Sequence, residues 1–191
     1  MLLLVTLSLI GAWFLPLWQI LMWAPQYPEG LSMRIWLEDI SGDVRIINAV
    51  NHYIGMRTIE KEMFPEFLYM KYIVAGVMIV GLVGALSNRR WGLLAFLTTL
   101  VLVGLAALYD FYQWGYDYGH NLDPEAAIKV PGLSYQPPLI GSKQLLNFLA
   151  YSGPDAGGWI FITAGLVCIG CLLAEVFSFP GRVKSIPLQP A

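Results

Sequence analysis

Charge is scarce in this 191-residue chain: Asp, Glu, Lys and Arg together make up 13% of it, about half the ordinary globular share. A net charge of -2 leaves no basic field to hold a polynucleotide, so nucleic acid is excluded as a partner. Cysteine is nearly missing too. The two present, Cys168 and Cys171, share one apolar run, so no disulfide framework can staple the rest. Histidine is limited to His52 and His120, too few for a pair of bis-His haems. The chain has no glycine-rich phosphate loop, no H-E-x-x-H, no G-x-S-x-G, and no row of acids through its apolar runs such as a transporter needs. These absences argue against an enzyme.

What the chain has in excess is apolar and aromatic surface, with 57% hydrophobic residues, seven Trp and ten Tyr. Trp and Tyr collect at membrane interfaces because each ring has an apolar body and a polar edge. A bilayer core of about 30 Å takes about 20 apolar residues in a helix, and stretches near 2–23, 69–86, 91–112 and 159–179 meet that length. The first has no basic residue ahead of it and ends Met22-Trp23-Ala24-Pro25, which favours an anchor over a cleaved signal peptide. Pro16 inside it should kink the helix. Gly81 with Ala85, and Ala164 with Cys168, are small residues four apart that let helices pack closely. The expectation is an all-α membrane protein, a single unit over 1–191 built as a four-helix bundle, with membrane lipid around it.

Between the spans lie two long segments, 24–68 and 113–158. Both are far longer than ordinary loops yet rich in apolar residues, so they are expected to pack into one small mixed cap. In the first, Arg34 to Glu38 alternates at strand period before Ser41-Gly42-Asp43, and Val44 to Ile47 could return as a second strand. A helix from Asn48 toward Met63 would put His52, Met56, Ile59 and Met63 on one face, although Gly55 weakens it. In the second, Tyr109, Tyr112 and Tyr116 form one helical stripe, read as an interface belt. Asp110, Gln113 and Asp117 form the next. An acid at the depth of Asp110 usually faces a bundle interior or a water-filled cavity. The prolines of Lys129 to Pro138 make that stretch rigid and extended.

Imidazole binds late first-row ions, and thioether sulfur is soft enough to favour Cu(I). His52, Met56 and Met63, with Asp117 and His120 brought over them, therefore form a candidate copper site. The competing reading has the methionines as apolar packing and the histidines as hydrogen-bonding residues. Cys168 and Cys171, an isolated C-x-x-C inside a span, read as packing rather than as a redox pair.

Three strings, Asn51-His52-Tyr53-Ile54-Gly55-Met56, the run from Tyr116 to Pro124, and the stretch from Lys129 to Phe148, resemble a small membrane protein encoded among bacterial nitrous oxide reductase maturation genes. The resemblance covers most of the chain. It implies an accessory protein of the bacterial inner membrane that handles copper on the periplasmic side while a copper enzyme matures, with that enzyme or its assembly machinery as partner. His52, Met56 and His120 lie within the strings; Met63 does not. The alternatives are a scaffold or anchor subunit of a membrane redox complex that holds no metal, and a quinone-binding subunit using the aromatics around Asp110.

The charges give a topology. With Lys71 and Asp110 counted in the segments they border, the long segments carry seven bases and twelve acids, while the short connections carry four bases and Glu175. Basic residues near membrane ends stay cytoplasmic. Reporter fusions after Arg90 and at the C-terminus should therefore read cytoplasmic, and insertions near Asp43 and Pro131 periplasmic. A cytoplasmic signal from either long segment would overturn this orientation.

Overall fold

The computed structural model describes residues 1–87, 90–128 and 134–178. The basic link residues Asn88 and Arg89, the beginning of the proline-rich stretch at Lys129 to Leu133, and the basic tail with Arg182 and Lys184 lie outside the described residues.

Three helices are long and apolar enough to cross a membrane: α3, Glu66–Ser87; α4, Arg90–His120; and α5, which runs Ala156–Ser178. The four-span, all-α expectation is overturned. Among the described residues helices hold 59% and a five-stranded antiparallel sheet holds 18%, so the protein is mixed α/β. The error sits in the first apolar run. Its helix α1, Leu2–Ser8, continues as a 3-10 turn over Leu9–Trp13 and stops there. Pro16 cannot continue it, since its ring clashes with the carbonyl four residues back and it disfavours helical geometry at Leu15. Seven α and five 3-10 residues rise about 20 Å, short of the roughly 30 Å core. Beyond the proline the same apolar residues become strand β1, Trp18–Ala24, because a short buried strand and a helix segment look alike in hydropathy.

The short N-terminal helix packs into the crevice of the three long ones. Val5 and Leu9 meet Val77, Phe96, Leu100, Ala164 and Cys168 in one buried cluster. Thr6, fully buried, satisfies its hydroxyl on the Leu2 carbonyl at 2.9 Å. Close approach depends on missing side chains: a Cβ on Gly81 would strike Thr6 and Phe96. The partner glycine for the tight turn of α3 on α4 is Gly84, not Ala85. A Cβ there would lie 2.8 Å from the Gly92 carbonyl oxygen.

The sheet order is β3-β2-β1-β5-β4, with β2 at Tyr27–Ile35, β3 at Ile40–Gly42, β4 at Gly141–Leu145 and β5 at Phe148–Pro154. The first long segment supplies β2 and β3, the second supplies β4 and β5, and β1, cut from the first apolar run, lies at the centre and pairs with both sides. β1 pairs with β5 from Trp18↔Pro154 to Trp23↔Leu149, so the segments share one sheet. Val44 to Ile47 is not the expected return strand. It opens helix α2, Val44–Tyr53, whose inner side buries Ile47 and Asn51, and β3 takes the place beside β2. α4 supplies the other half of this core. At about 1.5 Å per residue its 31 residues rise about 46 Å, some ten residues more than a bilayer needs. That extension carries Phe111, Trp114 and Tyr118 onto Ile20, Leu31, Met33, Ile47 and Ile59 of the cap.

The cap sits on the helices through the ends of β1 and β5. Leu17 N–H donates to the Ile35 carbonyl at 2.8 Å, Asp155 N–H to Leu17 at 3.1 Å, and Gly157 N–H to Pro16 at 2.8 Å. A second tie is Lys71 of α3, 2.5 Å from Glu38 in the turn between β2 and β3. At the sheet-side ends of the long helices Tyr69, Tyr72, Tyr109, Tyr112 and Trp159 are exposed, and Trp91 is exposed at the far end of α4. Amphipathic rings at both ends of apolar helices are what a bilayer's two interfaces select.

The junction yields a stability prediction. A Cβ on Gly158 would meet the Leu17 carbonyl oxygen, a backbone atom that cannot swing aside, whereas Gly170 on the same helix has open space. Thermal unfolding in lipid nanodiscs should show Gly158→Ala destabilised by about 1–3 kcal/mol from overpacking. Gly170→Ala should be neutral or slightly stabilising through helix propensity. Equal stability of Gly158→Ala and the parent would contradict this contact.

Candidate functional site

The candidate ligands sit where the first long segment meets the end of α4. Helix α2 ends at Tyr53, and Gly55 adopts a φ of +80°, a left-handed conformation that glycine takes without steric penalty. The expected helical face of His52, Met56, Ile59 and Met63 therefore does not form. The chain instead runs extended past Ile59, where Asn48 bonds it on both sides: Ile59 N–H donates to Oδ1 at 2.7 Å and Nδ2 donates to the Ile59 carbonyl at 2.9 Å. The stretch after α4 is zipped onto this bend. Asp123 N–H reaches the Gly55 carbonyl at 2.8 Å and Ile128 N–H the Tyr53 carbonyl at 2.9 Å. A Cβ on Gly55 would collide with Ala126, so the glycine answers both a backbone angle and a close approach.

The fold thus brings the segments holding His52 and His120 together, but it spends most of the candidate side chains elsewhere. Asp117 pairs with Arg57 Nη1 at 3.1 Å and accepts from Asn121 Nδ2. Met56 is half-buried against the cap core. Met63 lies beside Tyr118, whose hydroxyl donates to the Thr58 carbonyl at 2.7 Å and approaches the Met63 sulfur at 3.6 Å. Burial pushes the Tyr118 hydroxyl above its ordinary pKa range, which keeps it protonated as that donor.

Only the two imidazoles stay free of such work. His52 is exposed, with its ring edge toward Tyr53 at 6.1 Å. His120 stacks on Tyr116 at 4.0 Å, and its Nδ1 lies 2.9 Å from the Tyr116 carbonyl. A carbonyl can only accept, so Nδ1 carries the proton and the Nε2 lone pair remains available. Among the described residues, no group of three or more His, Cys, Asp or Glu is placed to hold a metal ion.

The other singled-out residues fall as follows. Asp110 is exposed on α4 rather than turned into a bundle interior or cavity, because Phe111 and Trp114 take the inward side of that turn. Tyr109, Tyr112 and Tyr116 are the exposed stripe. Cys168 is buried in the helix core and Cys171 is half-buried, both as free thiols. Sequence reasoning overlooked the third stripe of α4, Phe111, Trp114 and Tyr118. Its i, i+3, i+7 spacing was the available signal that the helix runs beyond its apolar stretch.

Comparison of the chain with protein-family models, with curated proteins and with solved structures finds no match.

Proposed function

We propose that this chain is a membrane-anchored scaffold of the bacterial inner membrane, holding a partner of a copper-enzyme maturation or redox complex against its cap without itself holding metal. One observation supports this over copper handling: of the five candidate ligands, Met56, Met63 and Asp117 serve the packing and pairing of the cap. A labile site needs ligands free to open. Here Met56 packs against the cap core and Asp117 is engaged by Arg57 and Asn121.

The remaining elements agree with that role. Three long apolar helices and the aromatic rings at their ends suit an anchor. The charge asymmetry favours a cytoplasmic C-terminus and a periplasmic cap. The likeness to nitrous oxide reductase accessory proteins supplies the copper-enzyme context. A second reading, transfer of Cu(I) through His52 and His120, is favoured by the free Nε2 of His120 and by the joining of the two histidine-bearing segments. In that reading the partner would complete the coordination.

The histidines separate the two. In cells lacking the chain, the His52→Ala, His120→Ala double variant should restore the copper content of the partner enzyme as fully as the parent does. Failure of a variant that inserts at the parent's level would overturn the scaffold reading and establish transfer.

A further inference from the structure

We infer that the edge of β4, unpaired among the described residues, receives an extended segment of a partner protein as a sixth strand. This deepens the scaffold reading, on which it rests, by naming where that partner docks.

The two edges of the sheet differ. On the β3 side the backbone groups are closed off one by one. Ser32 N–H is taken by Asp43 Oδ2 at 2.8 Å, Asp43 N–H by the Ser32 carbonyl at 2.6 Å, and Ile40 N–H by Asp39 Oδ1 at 2.9 Å. Further along β2, Pro28 has no N–H to offer, and Gly30 takes a φ of +86° where the register with β1 shifts. β4 has none of these guards. Its register with β5 runs without a bulge from Gly141↔Ser152 to Leu145↔Phe148, and it contains no proline. A two-residue turn joins Leu145 to Phe148, so residues 141, 143 and 145 bond β5. Ser142 and Gln144 therefore aim their N–H and C=O groups outward, and both residues are exposed.

The surroundings of the edge suit a docked strand. Leu146, at the turn, holds a φ of +54°, the one positive value outside glycine among the described residues, and its side chain is exposed. A fold built for stability alone would place Gly or Asn there. Ile140, just before the other end of β4, and Leu149, opposite Gln144, are exposed as well. Lys143 is exposed and meets no carboxylate among the described residues. Its Nζ donates only to the Gln136 carbonyl, at 3.0 Å. The charge complement is a strand with an acidic side chain opposite Lys143.

An antiparallel β4–β4 pair with a second copy of this chain does not fit. The α4 extension continues the axis of a membrane helix and packs along one face of the sheet, so the sheet stands on the bilayer rather than lying on it. An antiparallel β4–β4 pair needs a two-fold axis perpendicular to the sheet. That axis would lie in the membrane plane and set the second copy's helices on the wrong side.

The test uses the full chain in lipid nanodiscs and a synthetic nine-residue probe of alternating Thr and Val with a central Glu, beside the same peptide with a central Lys. Backbone hydrogen exchange is read residue by residue. The acidic probe should slow exchange of the Ser142 and Gln144 amides at least tenfold and leave the β3 edge unchanged, and the Lys probe should protect them far less. Gln144→Pro removes an outward backbone N–H that the free protein does not use, together with the bond from Gln144 Nε2 to the Leu146 carbonyl at 2.9 Å, so this variant should melt slightly below the parent and lose the protection. Leu146→Gly should raise the melting temperature while weakening the probe's effect. Unchanged exchange at saturating acidic probe, equal protection by both peptides, or protection that survives Gln144→Pro would each overturn the proposal. A dimer in the nanodisc that Gln144→Pro dissolves would overturn it in favour of a second copy. If the edge fails these tests while the double histidine variant still restores the partner enzyme, the scaffold reading stands with a different docking surface.

Discussion

Pairing of β1 with β5 is the constraint on which the rest of the structure depends. Each strand runs straight into a helix, β1 from the N-terminal helix through Pro16 and β5 into α5 through Asp155. Their pairing fixes the entry points of two helices side by side at the centre of the sheet. Backbone bonds from Asp155 and Gly157 to Leu17 and Pro16 continue the ladder to the helix end. Because polar backbone cannot be left unpaired near hydrocarbon, the chain meets the change from strand to helix with these few bonds and with the glycines that allow the close approach. Arg34, 3.5 Å from Asp155, adds a charge pair at the same place.

α4 supplies the second support. It emerges from the bundle and gives the sheet a surface to bury against, so the cap needs no disulfide and little helix of its own. Its aromatic stripe is continuous: Phe111 stacks on Trp114 at 5.6 Å, and Trp114 lies 4.6 Å from Tyr118. Such a column holds the sheet at a set height above the helices and leaves the other sheet face and the β4 edge uncovered by helix.

Much of this was legible in the sequence, and what was not has identifiable causes. Apolar length gave α3, α4 and α5 directly, and the apolar content of the long segments gave one shared cap. The first run misled because Trp18 to Trp23 is apolar throughout, and composition does not separate a central strand from a helix; Pro16 was the mark of the boundary rather than of a kink. Val44 to Ile47 was read at strand period over four residues, too few to distinguish the first turn of α2. The His-Met face failed on Gly55, whose bend depends on contacts with Asp123 and Ala126, far along the chain and invisible to local periodicity. Which side chains stay free for chemistry was likewise a matter of long-range partners, such as Arg57 for Asp117 and Tyr118 for Met63.

The pairing of β1 with β5, by which β1 joins the strands of the two long segments into one sheet, can be measured directly by cross-linking in membranes. With Cys168→Ala and Cys171→Ala as background, Leu21→Cys combined with Tyr151→Cys places thiols on directly opposed residues. Their Cα atoms should stand about 5.5 Å apart, within disulfide reach. Leu21→Cys with Ser142→Cys places them two strands apart, at about 10 Å and out of reach. The account predicts that mild oxidation closes the first pair rapidly and leaves the second open; a first pair that stays reduced while the second closes, or two pairs that react alike, would contradict it.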